Sequence, residues 1–222
     1  MTELLLGGVL RPAGVTTSFL RAPFYRVVKH LVTWRRGLSQ SLATTPTTFD
    51  QVIAALEPFE QPWTREVLFG CGEWTAYLNN ESNGGDATAA APYLAVAMNV
   101  ECFIATHAPK FGPGHAQTGL QILGPTGDPP LMEVRTIVAH AEDGRWSWHL
   151  HGAPQPFERP ERYSARKIRD RFDRGLLLEC LSAVGIRADD PSFYGRGVGV
   201  YQNVNYSRVQ RSAAQVREEL GW

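Results

Sequence analysis

The chain has 222 residues, 43% of them hydrophobic and 20% charged, a composition that fits one folded domain able to bury a substantial core. Lys plus Arg and Asp plus Glu number 22 each, which excludes the strong global field of a dedicated DNA-binding domain or an acidic chaperone. No apolar run reaches the roughly 18 residues of a membrane span, and three cysteines without CxxC spacing make neither a disulfide nor a zinc framework, so a reducing, cytoplasmic setting is expected.

The charge is unevenly placed. Between Glu3 and Asp50 there is no acid, while Arg11, Arg21, Arg26, Lys29, Arg35 and Arg36 are basic. From Asp50 on, 16 basic residues face 21 acidic ones. Residues 1–22 show no clear period and are expected to form a flexible arm or a leader ahead of one domain spanning 23–222.

From Pro23 the spacing of Val27, Leu31, Trp34 and Leu38 predicts an amphipathic helix, with most basic residues off its apolar stripe. A second helix is expected from Phe49 to Leu56, with Thr48 and Gln51 spaced as a capping box and Pro58 as its stop. Together they predict a basic αα-hairpin over 23–58.

Short β-rich runs punctuated by turn residues follow across 66–152, at 67–70, 73–78, 102–106, 120–123, 132–139 and 146–151, with one helix inserted near 92–98. Over 132–151, Glu142-Asp143-Gly144 predicts a type I turn with Gly144 in a bulge. That register places Val134, Val138, Trp146, Trp148 and Leu150 on one face, with both indoles as core anchors. The other face then carries Glu133, Arg135, Ser147, His149 and His151, interrupted by Ile137 and Ala139. A helical layer over 159–222 completes the pattern: 165–172 behind Ser164, 175–184 behind Asp173 with Gly185 as its stop, and 208–220. The fold class expected is α+β: a mainly antiparallel sheet of five or six strands, helices on one face, preceded by the αα-hairpin.

Several constellations carry chemistry. His149 and His151 lie two apart on a strand, close enough for one metal to bridge if Glu133 or Glu101 supplied a third ligand, although a solvated sheet face is the simpler expectation. His107, Lys110 and His115 flank the loop 108–116 and could perform acid/base work on an anionic substrate. The loop Asn79, Asn80, Glu81, Ser82, Asn83, Gly84, Gly85, Asp86 is the most unusual polar segment, and its backbone could receive an anion or a partner's carboxylate. Glu73 and Asp86 bracket it as imaginable paired carboxylates. Cys71 lies between Gly70 and Gly72, a turn that could expose a thiol, whereas Cys102 and Cys180 fall in apolar patterns. Gly195, Gly197 and Gly199 lack the strand-to-helix context of a dinucleotide loop and are expected to turn into a strand at 198–202. Arg162, Arg166, Lys167 and Arg169, with Tyr163 to stack, form a nucleic-acid footing.

No motif specifies a cofactor. The function expected is a non-catalytic interaction protein, such as a bacterial-type inhibitor or immunity-like module, with another protein as partner. The alternatives are a small hydrolase-like enzyme acting on an anionic substrate and, behind it, a weak nucleic-acid binder.

Overall fold

The computed structural model describes residues 4–6, 10–38, 41–88, 90–111, 114–203 and 208–222. In chain order, strand β1 (Thr16–Leu20) leads into helix α1 (Phe24–Gly37), then β2 (Ser41–Thr47), a 3-10 turn continued by α2 (Val52–Leu56), β3 (Phe59–Gln61), β4 (Arg65–Cys71) and β5 (Trp74–Asn79). Helix α3 (Ala91–Met98) precedes a four-strand meander of β6 (Cys102–Phe111), β7 (His115–Asp128), β8 (Glu133–Glu142) and β9 (Arg145–His151). Two 3-10 turns (Pro160–Ser164 and Ile168–Asp170), α4 (Arg174–Ala183), a further 3-10 turn (Pro191–Phe193), β10 (Gly197–Asn203), β11 (Val209–Arg211) and α5 (Ala213–Leu220) complete the chain.

The strands form one nine-stranded sheet in the order β2-β10-β4-β5-β1-β6-β7-β8-β9, with β11 and β3 making a separate pair. Every named pairing is antiparallel. This corrects the expectation of five or six strands. The helices also occupy both faces of the sheet, not one. Val27 and Leu31 of α1 and Leu94 and Met98 of α3 join Leu20, Leu68, Tyr77 and Ile104 on one face. Leu56 of α2, Leu177 and Leu181 of α4, and Val216 and Leu220 of α5 join Phe19, Val67, Phe69, Phe103, Leu120 and Ile137 on the other. Adjacent residues such as Phe19 and Leu20, or Val67 and Leu68, are each fully buried, because a strand covered on both sides loses the alternation that marks a half-exposed one. Among the described residues no helix is long and apolar enough to cross a membrane.

The front of the chain departs furthest from expectation. Residues 16–20, read from sequence as part of an arm, are buried throughout and lie hydrogen-bonded between β5 and β6. Leu4, Leu5, Leu6 and Leu10 are buried as well. The αα-hairpin is also absent, since Ser41–Thr47 between the two helical segments is an edge strand on β10. Its Leu-Ala-Thr-Thr-Pro composition carries little apolar signal, and Pro46 suits an edge because the missing N–H can face away from the ladder.

The β8–β9 hairpin shows how one residue of loop length inverts a reading. Glu142 pairs with Arg145, so the loop is the two residues Asp143 and Gly144, with φ of 49° and 77°, a type I′ geometry. Trp146, Trp148 and Leu150 therefore share a face with Ala141, Ala139 and Ile137, and Val138 joins His149 on the opposite face. A slip of one residue exchanges the faces of a strand. Both indoles are half-buried; Trp148 packs against the larger core as expected, whereas Trp146 does not join it.

Arg135 follows the same inversion. It is buried, not solvated, and its guanidinium donates to both carboxylate oxygens of Glu158 at 2.9 and 2.7 Å and to the carbonyls of His151 and Gly152. Tyr163 also donates to Glu158, at 2.8 Å, so these contacts pin the 152–164 crossover against the sheet. The segment 165–172 forms a 3-10 turn where an α-helix was expected, whereas α4 begins behind Asp173, which accepts from the Leu176 N–H at 2.9 Å.

On the other face α1 buries Arg35 against Glu66, with donors at 3.0 and 2.5 Å. Tyr77 and Gln202 donate to the same carboxylate at 2.8 and 3.2 Å. Glu66 has no exposed surface, so removing one partner strands a buried charge. Arg35→Ala should lower the unfolding free energy by about 3–5 kcal/mol. Arg35→Met with Glu66→Gln should recover most of that loss in urea denaturation, because the buried charges then disappear together; equal destabilisation in the two proteins would contradict this account.

Candidate binding groove

The Asn/Gly segment leaves the end of β5 and folds back through its own side chains. Asn79 Oδ1 accepts from the N–H groups of Glu81 and Asp86 at 3.3 and 2.8 Å, while its amide donates to the Asp86 carbonyl at 2.6 Å. Asn80 Oδ1 accepts from the N–H groups of Thr64 and Arg65, both at 2.9 Å, and its amide donates to the Pro58 carbonyl. Both asparagines are buried and their polar atoms are consumed by backbone, as buried amides require. They therefore build the loop and are not free to meet an anion. Gly84, at φ 93°, allows the loop to press on the N-terminal segment: a Cβ there would lie 2.6 Å from Val15 Cγ2 and 2.9 Å from the Pro12 carbonyl oxygen.

That packing leaves a groove of about 580 Å³ beside the loop. The loop contributes Glu81, Asn83, Gly85 and Asp86, and the β3–β4 connection contributes Gln61, Pro62 and Trp63. Thr16, Thr106 and Gln117 form its sheet side, joined by a Thr16–Thr106 hydroxyl contact of 3.1 Å. Among the described lining residues there are two carboxylates and no basic side chain. Asp86 is tied to the Thr88 N–H at 2.9 Å and to the Thr88 hydroxyl. Glu81 is buried and accepts from the Asn83 N–H at 2.7 Å and the Ser82 hydroxyl at 3.3 Å. Burial pushes the Glu81 carboxyl above the ordinary glutamate range, the Asn83 N–H opposes this, and Asp86 adds a smaller upward push.

The groove replaces several sequence-derived groupings. Glu73 lies at the opposite end of β5 from Asp86 and is bound to Arg21 at 2.9 Å, so those two carboxylates form no pair. Arg21 also binds Glu101 at 2.9 Å. The acid-free front of the chain thus meets the acidic remainder internally, through both Arg21 and Arg35.

His107 is buried on β6 with Nδ1 2.9 Å from the Thr118 hydroxyl oxygen, facing away from groove-lining Thr106. His115 enters β7 three positions before Thr118, about 10 Å along the strand and on the other face of the pleat. Lys110 is exposed, and its carbonyl accepts from the Trp222 indole at 2.6 Å. The strand geometry therefore does not converge these three groups on one point. Gly112 and Pro113 of that loop lie outside the described residues.

His149 and His151 do share a face of β9, with His149 exposed and His151 3.2 Å from Asp128. Neither proposed third ligand joins them: Glu101 is held by Arg21, and Glu133 accepts from the Thr136 hydroxyl. Among the described residues no group of three His, Cys, Asp or Glu could hold a metal ion.

Cys71 is buried despite its flanking glycines, and burial pushes its thiol up to about 12. Cys180 is likewise pushed up to about 12 by burial, and Cys102 is raised further for the same reason. Gly197 opens β10 beneath Phe69, where a Cβ would lie 2.5 Å from the ring, so the glycine run turns into a strand as expected.

Arg162 reaches Asp173 at 3.7 Å and Arg169 reaches Asp170 at 3.6 Å, while Arg166 and Lys167 are exposed. Tyr163 is occupied by Glu158 and lies 5.3 Å from Trp148, so it is not the outward ring of that surface.

Trp63, Thr106 and Gln117 escaped the sequence reading, and Glu81 entered it only as a member of the Asn/Gly loop. Glu81 carried a usable signal, since it and Asp86 are the only charges of the Asn/Gly segment; the others reach the groove through pairings distant in sequence.

Two outcomes check these environments. A Glu whose folded value is raised contributes stability below its unfolded value, and that contribution is lost as pH rises through the folded value. Glu81→Gln should therefore match the parent near pH 4 and exceed its stability at pH 7 in paired thermal melts; a constant difference across that window would refute the burial argument. A disulfide thiol reagent at pH 8 should label none of the three cysteines until denaturant is added, because the thiolate is the reacting form. Comparison of the chain with protein-family models, with curated proteins and with solved structures returned no match in any of the three.

Proposed function

We propose that the protein is a non-catalytic binding module whose groove receives a basic side chain, lysine or arginine, of a protein partner. The observation that carries this reading is the lining itself: Glu81 and Asp86 supply negative charge, Trp63 supplies an indole, and no described lining residue is basic. Carboxylates give charge-assisted hydrogen bonds to an ammonium or guanidinium group, and an indole face attracts the same cations. Trp63 already has the Arg35 guanidinium 5.9 Å from its ring centroid. Thr16, Thr106 and Gln117 add neutral groups that can orient a bound chain. The polarity is opposite to that of an anion site, so a carboxylate or phosphate partner is disfavoured here. The three buried thiols are compatible with the reducing, cytoplasmic setting that we propose with this function.

The spread of the histidines and the buried state of the cysteines support a binding role over an acid/base or thiol enzyme. The same groove also disfavours an enzyme for an anionic substrate, since both of its charged groups are acids.

The direct test is an NMR titration of the full chain with N-acetyl-arginine methylamide and N-acetyl-lysine methylamide, using N-acetyl-glutamine methylamide as the neutral control. At least one basic compound should shift the Trp63 indole and Asn83 backbone signals. Asp86→Asn, which keeps the acceptor to Thr88, should weaken that binding roughly 10- to 100-fold, the loss of one charge-assisted hydrogen bond. Equal shifts with the neutral compound, or no shift with any of the three, would reject the assignment.

A further inference from the structure

A second groove, of about 400 Å³, lies where the 3-10 turn Ile168–Asp170 approaches β9. Its lining is Trp146, Arg166, Lys167, Ile168 and Arg169, so among described residues it contains three cations, one indole and no acid. Trp146 shares the sheet face of Ala141, opposite to the face from which Thr106 and Gln117 line the acidic groove.

Three features distinguish this patch from an ordinary solvated surface. Its charge is not cancelled: Arg166 and Lys167 make no ion pair with any described residue, and Arg169 meets Asp170 only at 3.6 Å. Nearby Arg159, by contrast, is paired to Glu179 at 3.0 Å. Its backbone is held, because Arg171 Nε donates to the Ala165 carbonyl at 2.9 Å and closes the loop that presents Arg166, Lys167 and Arg169 outward. The Asp170 and Arg171 N–H groups bond the Lys167 and Ile168 carbonyls, both at 3.0 Å. Finally, the two half-buried indoles of β9 have different neighbours. Trp148 lies 5.3 Å from Tyr163 and 5.9 Å from the Arg171 guanidinium, whereas Trp146 lines the groove.

We propose that this groove binds a phosphorylated aromatic ring, a nucleotide free or within single-stranded nucleic acid, with the base on Trp146 and phosphate between Arg166 and Lys167. Stacking on an indole tolerates any base, and the flanking cations track phosphate, which is the combination used for sequence-independent single-strand binding. The volume falls in the range of small-ligand sites and suits about one nucleotide. Arg169 adds a third positive charge at the rim.

The experiment uses the full chain with a fluorescein-labelled 12-nucleotide oligo(U), and AMP and inorganic phosphate as competitors, read by anisotropy. Binding should weaken roughly 5- to 20-fold between 50 and 200 mM salt, the response to two or three phosphate contacts on a single strand. Arg166→Ala with Lys167→Ala should abolish measurable binding. Trp146→Ala should weaken it about 5- to 150-fold, and Trp146→Phe should retain most of it, since the stacking surface survives. Thermal melts of all variants separate loss of binding from loss of fold.

Displacement by AMP but not by equimolar phosphate would assign the site to a nucleotide as such. Binding of oligo(U) without competition by AMP would assign it to the strand. No binding of either probe, or binding unchanged by Trp146→Ala and displaced equally by phosphate, would overturn the proposal and leave charge alone as the property of the patch.

Discussion

Five residues decide whether the nine strands of the main sheet form one sheet or two. Among the described residues, β1 alone connects the strands β2-β10-β4-β5 to the meander β6-β7-β8-β9. Ser18–Leu20 pair with Thr75–Tyr77, and Thr16–Leu20 pair with Cys102–Thr106. Without this strand both β5 and β6 would present open edges, and the unpaired backbone groups would require water or another chain. The side chains of β1 serve both faces, since Phe19 enters one core and Leu20 the other. Much of the fold is therefore conditional on long-range pairing by a segment with almost no local signature. Such contacts carry a large loop-closure cost before they stabilise anything.

Buried charge tells the two faces apart. Arg35 with Glu66 lies under α1, and Arg135 with Glu158 lies under the 152–164 crossover on the other face. Each guanidinium makes two bonds to one carboxylate, and tyrosine hydroxyls complete both clusters, from Tyr77 and Tyr163. Desolvation offsets much of the Coulombic gain in such pairs, while an unmatched partner is strongly destabilising. Their main consequence is positional: α1 and the crossover each have one register in which the charges meet.

The same division organises the two grooves. The acidic one depends on a loop whose asparagines saturate backbone groups, so that Glu81 and Asp86 remain as the polar edge of a cavity reaching the sheet at Thr106 and Gln117. The basic one depends on the type I′ turn of the β8–β9 hairpin, because that turn sets which face Trp146 occupies. Opposite charge on opposite sheet faces arises in a chain whose net formal charge is zero. Neutral composition therefore conceals two local clusters of opposite charge.

Local rules made part of this structure legible from the sequence. Helix spacing located α1 and α3, the aspartate at 173 and the glycine at 185 bounded α4, and β-rich runs located most of the meander, because those signals arise from neighbours within a few residues. The Asn/Gly loop was singled out for its composition, although its buried amides hold backbone groups and its acids line the groove. Tertiary structure alone decided the place of β1, the edge position of β2, the use of both sheet faces and the convergence of Trp63 with Glu81, Thr106 and Gln117. The reason is physical: a strand buried on both sides has no amphipathic period, and a groove assembled from segments as far apart as Val15 and Gln117 leaves no spacing to read. One residue of turn length in the hairpin set which face Trp146 and Trp148 occupy, and the pairing of β8 with β7 put Arg135 on the face where it meets Glu158.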